Sequence, residues 1–305
     1  MNKPRIKTNK YFRWIGYFLL GIIVVMSGIY GSLACTQGEP AVDRVFFKQS
    51  GSQPLVIAHR GGGGLFPENT LYAFKKAADL GVDVIELDVR GTSDGELVVI
   101  HDPTVQRTTD GTGRVNELTL SELKKLDAGY RFSPDGLTFP LRQNGINVPT
   151  LREVFAALPK MRFNIEPKQA APSIIKPLCK IINEYQMVDR VVVGSFQQGI
   201  IDEFRRDCAN VATSASTGEV GKFLAMYKTA LGKSYTAEMQ ALQVPEFVGI
   251  TKEFVEAAHE RNLKVHVWTV NETNAMERLL KMGVDGIMTD YPDRLLTVMR
   301  RQRSR

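Results

Sequence analysis

The chain has 305 residues, of which 43% are hydrophobic and 24% are charged, a composition typical of a globular protein with a sizeable core. Its formal net charge of +6 is concentrated at the two ends, because five basic residues precede the first apolar run and four arginines lie among the last six residues. The body between them carries 30 basic and 33 acidic residues, a net charge of −3. A body of that sign excludes nucleic acid as an expected partner.

The composition divides the chain into four parts. Residues 1–13 form a basic tail, residues 14–34 an apolar segment, residues 35–54 a linker, and residues 55–305 one large domain. From Trp14 onwards the apolar segment has 20 residues without a charge. A helix of this length is about 30 Å long, which is enough to cross the hydrocarbon core of a bilayer. The basic tail predicts a cytoplasmic N-terminus and a large domain on the other side of the membrane.

The apolar segment has three alternative fates. We favour an uncleaved membrane anchor, since the run is long for a signal peptide. Small side chains at Ser32 and Ala34 would also suit cleavage by a signal peptidase, which would give a secreted protein. The order Leu33-Ala34-Cys35 is similar to a lipoprotein box with a lipid on Cys35, although Ser32 stands where such a box usually has Leu, Ile or Val.

Strand and helix patterns alternate through the large domain, which predicts βαβ units and a parallel sheet. Nine strand patterns follow one another at residues 55–59, 82–89, 97–100, 162–166, 190–196, 211–214, 241–244, 264–270 and 286–289. Helical patterns lie at residues 69–79, 121–126, 150–158, 173–185, 198–207, 222–231, 251–261, 273–281 and 292–301. For the first helix, Asn69 is the expected cap and Gly81 the expected end.

This alternation predicts a TIM (β/α)8 barrel, with the anchor helix before it. The surplus strand is 97–100, which returns through an Asp-Gly turn and is expected to be a hairpin arm. Residues 103–148 interrupt the alternation and are interpreted as a small insertion over one end of the barrel. A doubly wound open sheet is the alternative, but no GxGxxG motif opens its first helix.

Polar side chains recur where the predicted strands end, at His59, Asp88, Glu166, Lys168, Ser195, Trp268 and Asp290. In a (β/α)8 barrel these ends form the catalytic face. We therefore expect a site at this face of the barrel.

Two histidines lie on either side of two acidic residues in one short stretch. His59 and His101 can act as general base and general acid, since imidazole titrates near neutral pH. Glu86 and Asp88 are two residues apart, on one face of a strand. Together with Glu166 or Glu68 they would offer the oxygen ligands that Mg²⁺ or Ca²⁺ prefers. These groups are the parts of a phosphoryl-transfer site.

Three further side chains are candidates for substrate binding. Arg60 could clamp a phosphate, because its planar guanidinium matches two phosphate oxygens. Lys168 could bind charge on a non-bridging oxygen. Either cation could also pair with an acid of the site. Trp268 could stack on the alcohol part of a substrate or belong to the core.

The remaining histidines and one aspartate have structural interpretations. His259 lies late on an amphipathic helix and His266 lies within a strand. Asp290 is expected to cap the last helix rather than to bind anything.

The three cysteines form no CxxC motif, so zinc and redox chemistry have no support. Cys179 and Cys208 could pair outside the cytoplasm. We expect instead that both are buried free thiols.

Nine motifs in order resemble the glycerophosphodiester phosphodiesterase family, over residues 55 to about 297. They are His59-Arg60-Gly61, Pro67-Glu68-Asn69-Thr70, Glu86-Leu87-Asp88-Val89, the turn at 92–95, His101-Asp102, Glu166-Pro167-Lys168, Ser195-Phe196, Val267-Trp268-Thr269-Val270-Asn271 and Thr289-Asp290-Tyr291-Pro292. The resemblance implies a TIM barrel with an insertion after the second histidine, a divalent cation, and hydrolysis of glycerophosphodiesters to glycerol 3-phosphate and an alcohol.

The resemblance also implies roles for single residues. It makes His59 and His101 the acid and base, without saying which is which, and Glu86, Asp88 and Glu166 the metal ligands. It leaves Glu68 as a further ligand or a neighbour of the ligands. The nucleophile, water or the 2-hydroxyl of glycerol, stays open.

Three alternatives remain. A lysophospholipid is a plausible substrate, since the anchor would hold the site near lipids. A phosphatidylinositol phospholipase C-like barrel also uses two histidines, but the Glu-Leu-Asp pair and the Pro-Glu-Asn-Thr motif argue against it. An inactive barrel that binds lipid head groups would have lost a histidine or a ligand, and this chain has lost none.

Overall fold

The computed structural model describes residues 10–48 and 53–303. Nine strands belong to one sheet: β1 (Leu55–Ala58), β2 (Val84–Gly91), β3 (Leu97–Val99), β4 (Arg162–Pro167), β5 (Val191–Val193), β6 (Ala212–Thr213), β7 (Ala241–Pro245), β8 (Lys264–Trp268) and β9 (Gly286–Thr289). The helices are α1 (Lys10–Cys35), α2 (Val45–Lys48), α3 (Leu71–Leu80), α4 (Leu120–Leu123), α5 (Leu151–Ala157), α6 (Ile175–Glu184), α7 (Gln198–Asp207), α8 (Thr217–Lys228), α9 (Lys252–His259), α10 (Thr273–Met282) and α11 (Pro292–Arg303).

Eight of these strands run parallel and form a barrel. Their order is β6-β5-β4-β2-β1-β9-β8-β7, and a parallel bridge between Ser214 and Ala241 joins the two ends. The barrel strands are almost entirely buried, since side chains fill the interior and helices cover the outside. The predicted TIM barrel is therefore confirmed.

The surplus strand is the expected hairpin arm. Strand β3 pairs antiparallel with β2, with Val99 opposite Val89 and Leu97 opposite Gly91. The following segment, 103–148, has one short helix, α4, and a small apolar cluster of its own with β3. This segment lies next to the ends of β2 and β3, at the catalytic end of the barrel.

The start of α3 and the state of two cysteines differ from expectation. Thr70 caps α3, because its side chain accepts a hydrogen bond from the backbone N–H of Ala73 at 3.1 Å. The expectation that Asn69 is the cap is wrong, since Asn69 has φ +57° and its side-chain amide donates to Asp88.

Cys179 and Cys208 form a disulfide across the packed helices α6 and α7, so the expectation of two free thiols is wrong as well.

Helix α1 extends beyond the barrel. Residues Phe12–Cys35 are long and apolar enough to cross a membrane, with a mean hydropathy of 2.1, and none of that stretch is buried. A signal sequence has the same properties, so length and composition leave both readings open. Near its end, the Tyr30 hydroxyl donates to the carbonyl of Thr229 at 2.9 Å.

Residues 38–48, which we call the strap, lie across the end of the barrel where the strands begin. Hydrogen bonds join the strap to residues that precede or begin a strand. They include Ala41 N to Arg261 O at 2.9 Å, Asn262 Nδ2 to Ala41 O at 2.8 Å, Arg44 Nη2 to Ala209 O at 2.6 Å and Arg162 Nη1 to Phe46 O at 3.1 Å. The strap is thus part of the folded domain.

The Phe46 ring fills the floor of the barrel. It is only 1% exposed and belongs to a cluster of inward side chains from the strands: Leu55, Ile57, Val84, Val192, Ala212 and Met288. These residues come from five strands, so the ring belongs to a cluster that spans much of the lower barrel.

Replacement of Phe46 by Ala should destabilise the domain by about 3–5 kcal/mol, because a buried ring is lost and a cavity remains. The melting temperature measured by circular dichroism should fall by about 10 °C. Leu137→Ala is the control, since Leu137 is 84% exposed, and it should leave the melting temperature unchanged. Equal melting temperatures for Phe46→Ala and the native chain would show that the strap does not support the barrel.

Candidate active site

Three carboxylates meet where β2 and β4 end. The two strands pair in a register that puts Asp88 opposite Glu166, and Glu86 lies on the same face of β2 two residues earlier. Ligand oxygens of these three residues lie within 4.8 Å of one another. Burial, followed by the charge of Asp88, raises the pKa of Glu86 to about 7. Burial also raises the pKa of Glu166.

This cluster fits a divalent cation. Its three donors are hard oxygen ligands, the type that Mg²⁺ and Ca²⁺ prefer. Negative groups at this distance repel one another, and that repulsion adds to the effect of burial on the pKa of Glu86, so a cation would relieve part of the cost. The Lys168 ammonium already lies 2.8 Å from Glu166 and 3.2 Å from Asp88.

His59 follows β1 directly and lies beside the cluster. Its Nδ1 is 2.7 Å from Asp290 Oδ1, and its Nε2 is 4.0 Å from Glu86 Oε2. Burial acts to lower the pKa of His59, but the hydrogen bond with Asp290 and the charge of Glu86 outweigh it and leave the pKa raised. The imidazole therefore keeps a proton more readily than a free histidine does.

His101 follows β3 and is held in a similar way. Its Nδ1 lies 2.6 Å from Asp102 Oδ1. Burial lowers the pKa of His101, although the charge of Asp88 and the bond to Asp102 act in the other direction. The two imidazoles thus have pKa values displaced in opposite directions.

Arg60 lies between these groups in a left-handed turn with φ +52°. Its backbone N–H donates to Glu86 at 2.7 Å, and its Nη1 donates to Glu68 at 3.0 Å. Its Nε is 3.5 Å from Asp88 and has no hydrogen-bond partner among the described residues. A buried N–H group without a partner is costly, so this atom is suited to receive an acceptor from a ligand.

Glu68 lies outside the three-carboxylate cluster. It accepts hydrogen bonds from Arg60 and, at 2.7 and 2.8 Å, from Arg107. Burial opposes its ionisation, but the two arginines outweigh burial and lower its pKa. In this arrangement Glu68 is a partner of two arginines, and its expected role as a metal ligand stays a prediction.

One cavity of about 520 Å³ is lined by the three carboxylates, both histidines, Arg60 and Lys168. Its charged side is formed by His59, Arg60, Glu86, Asp88, His101, Glu166 and Lys168. Its other side, which we call the apolar wall, consists of Phe196, Val220, Leu224, Pro245, Phe247, Val248 and Trp268. Phe196 and Trp268 meet edge to face, with ring centroids 5.4 Å apart. A ligand in the cavity would contact charge on one side and hydrocarbon on the other.

Sequence reasoning missed the residues that hold the candidate groups in place. Asp290 contacts His59 instead of capping the last helix, and it also accepts a hydrogen bond from Asn271 at 2.8 Å. Asn69 donates to Asp88 at 2.8 Å. Asp102 follows His101 directly in the chain, and this adjacency was a usable signal.

The other two histidines lie apart from the cavity. His259 pairs with Asp285 at 2.7 Å, and Asp285 precedes β9 at the end of the barrel where the strap lies. His266 is buried in the barrel, where burial lowers its pKa to about 4. Neither lines the cavity, in agreement with their structural interpretation.

The comparisons with known proteins agree with this geometry. The family model described as the glycerophosphoryl diester phosphodiesterase family matches residues 59–294. A glycerophosphodiester phosphodiesterase of Caldanaerobacter subterraneus subsp. tengcongensis is 42% identical over 255 residues, covering 81% of this chain and 98% of the relative. A lysophospholipase D of Mus musculus is 27% identical, and the matched region covers 78% of this chain and 84% of that relative.

A solved structure of a relative has the same fold. The crystal structure of a glycerophosphodiester phosphodiesterase from Agrobacterium tumefaciens superposes with a TM-score of 0.67 at 26% identity, covering 80% of this chain and 99% of that one. The barrel, the cavity at its catalytic end and the family match agree. The chain belongs to the glycerophosphoryl diester phosphodiesterase family and is a phosphodiester hydrolase of that family.

Proposed function

We propose that this enzyme hydrolyses glycerophosphodiesters to glycerol 3-phosphate and an alcohol with the help of a divalent cation and the pair His59 and His101. The observation that carries the proposal is the pair of imidazoles, each with Nδ1 held by an aspartate, in one cavity with three clustered carboxylates. An aspartate at Nδ1 fixes the tautomer and orientation of a histidine and leaves Nε2 for the reaction.

The two histidines divide the proton transfers between them. His101 has a lowered pKa, so it is neutral near pH 7 and suited to take the proton of the attacking hydroxyl. His59, whose pKa is displaced in the other direction, would then give a proton to the leaving alkoxide. One P–O bond forms and one breaks, and the proton lost at His59 is balanced by the proton gained at His101. With water as the nucleophile this step gives glycerol 3-phosphate directly. With the glycerol 2-hydroxyl it gives a cyclic phosphate, which water then opens with the roles of the two histidines reversed.

Glu86, Asp88 and Glu166 would hold the cation, and Mg²⁺ and Ca²⁺ both suit their oxygens. A bound divalent cation polarises the phosphodiester and stabilises its developing charge. Arg60 lines the cavity, where its guanidinium would bind phosphate oxygens, and Lys168 adds a second positive charge. Trp268 would contact the carbon atoms of the substrate.

A lysophospholipid is the second candidate substrate, because of the apolar wall. Phe247 is 87% exposed and Phe196 49% exposed, although both line the cavity. Exposed aromatic rings beside a charged site are suited to an acyl chain. The cavity volume lies in the range of about 300–1,000 Å³ that holds drug-sized ligands, so a head group and part of a chain would fit.

We also propose that α1 anchors the enzyme in a membrane with the barrel outside the cytoplasm. The basic tail, the apolar helix and the disulfide support this, since disulfides persist in oxidising compartments. The strap joins α1 to the end of the barrel opposite the cavity, so the cavity would open away from that membrane.

The purified full chain should hydrolyse glycerophosphocholine in the presence of Mg²⁺ or Ca²⁺, and hydrolysis should stop when EDTA is added.

His59→Ala and His101→Ala should each lower kcat by about 100- to 10,000-fold, the usual contribution of general acid–base catalysis. His259→Gln is the matched control, because it removes a histidine from another His–Asp pair, and it should keep native kcat. Native activity in His59→Ala or in His101→Ala would contradict the assignment.

The apolar wall should matter only for acylated substrates. If lysophosphatidylcholine is a substrate, Phe247→Ser and Leu224→Ser should raise its KM by about tenfold each, as loss of a buried apolar contact predicts. The KM for glycerophosphocholine, measured in parallel, should not change. Equal effects on both substrates would remove the second candidate and leave the first intact.

The orientation can be checked when the full chain is expressed in a bacterium. The protein should stay with the membrane after an alkaline carbonate wash, and protease added to intact spheroplasts should digest the barrel. A barrel that is cut only after lysis would contradict the proposed orientation.

A further inference from the structure

Arg107 contacts two loops of the site without lining the cavity. It lies in the insertion, six residues after His101 in the chain. Its Nε and Nη2 donate to the two oxygens of Asp102 at 2.6 and 3.1 Å. Its Nη1 and Nη2 donate to the two oxygens of Glu68 at 2.7 and 2.8 Å. One guanidinium therefore forms two forked ion pairs at once.

Each of the two carboxylates also contacts a group that faces the cavity. Asp102 holds Nδ1 of His101 at 2.6 Å, and Glu68 accepts from Nη1 of Arg60 at 3.0 Å. The contacts form one continuous chain: His101, Asp102, Arg107, Glu68 and Arg60. Its two ends are the proposed base and the proposed phosphate clamp, which belong to different loops of the barrel.

Only an arginine fills this position. A guanidinium offers five N–H donors in a rigid plane and can bind two carboxylates side by side, whereas an ammonium is a single point charge. The two carboxylates are mostly buried, with 18% and 25% of the Glu68 and Asp102 side chains exposed. Negative groups this close together repel one another unless a cation separates them, so without Arg107 they would move apart.

We propose that Arg107 is a positioning residue, which fixes Asp102 behind His101 and Glu68 behind Arg60 and so couples the insertion to the reacting groups. The inference depends on the proposed roles of His101 and Arg60. Arg107 itself touches no substrate in this scheme, since 45% of its side chain is exposed and it does not line the cavity.

The test compares the full-length enzyme with its Arg107→Ala and Arg107→Lys variants on glycerophosphocholine and Mg²⁺. Loss of a residue that orients a reacting group typically costs about 10- to 100-fold, so kcat of Arg107→Ala should fall by that factor. Arg107→Lys should recover little of it, because one ammonium cannot bind both carboxylates in forked pairs. Guanidinium ion at millimolar concentration should partly restore kcat of Arg107→Ala, while ammonium should not.

A double-mutant comparison separates positioning from general stability. In a Glu68→Ala/Asp102→Ala background, which removes both partners of Arg107, Arg107→Ala should lower kcat by less than about threefold further, because residues that act as a unit are non-additive. Arg114→Ala is the matched control, since Arg114 is an exposed arginine of the same insertion that pairs with Glu117 at 3.7 Å, and it should keep native kcat.

The outcomes separate a failure of the proposed function from a failure of the proposed role of Arg107. A native enzyme without diesterase activity would contradict the proposed function itself. An active native enzyme with native kcat in folded Arg107→Ala, or with the full loss repeated in the Glu68→Ala/Asp102→Ala background, would overturn the role of Arg107. If Arg107→Ala does not fold, Arg107→Lys decides, and native kcat in that variant would overturn the proposal.

Discussion

The repulsion among three carboxylates at the ends of β2 and β4 is the constraint that the site is arranged to satisfy. Burial raises the pKa of Glu86, and the charge of Asp88 raises it further, so positive charge beside the cluster favours the ionised form of all three carboxylates. Lys168 and Arg60 supply two such charges from the protein. A divalent cation would supply more, so the same repulsion that destabilises the cluster favours metal binding. The barrel tolerates this strain because the carboxylates stand on buried strands that are fixed on both sides.

The two histidines show how environment separates similar residues. Both have Nδ1 bound to an aspartate, so their tautomers and ring orientations are set alike. Burial acts to lower the pKa of both histidines. At His59 the hydrogen bond with Asp290 and the charge of Glu86 outweigh burial, whereas at His101 the charge of Asp88 and the bond to Asp102 do not. Opposite displacements of pKa are what an acid and a base of one reaction require. The proposed division of roles thus rests on the position of each histidine in the barrel rather than on residue type.

The fold was predictable because its signals are local and repeated. Strand and helix patterns alternate, and the Asp-Gly turn by itself identifies β3 as a hairpin arm. The candidate groups at strand ends were predictable for the same reason. The partners were not, because Asp290 meets His59 over 231 positions of chain and Arg107 joins loops that no periodicity relates. The expectation of free thiols was wrong for the same reason. Only the packing of α6 on α7 brings Cys179 and Cys208 together.

The strap also bears on the choice of substrate. It holds the end of α1 against the barrel where the strands begin, whereas the cavity opens where they end. If α1 spans a membrane, the barrel stands between that membrane and its own cavity. Lipids of the same bilayer then have no direct path to the apolar wall, and a lysophospholipid would have to arrive through water as a monomer. A water-soluble glycerophosphodiester would reach the cavity directly from solution. The position of the barrel on such an anchor therefore favours glycerophosphodiesters as substrates, even though the apolar wall could accept a lysophospholipid.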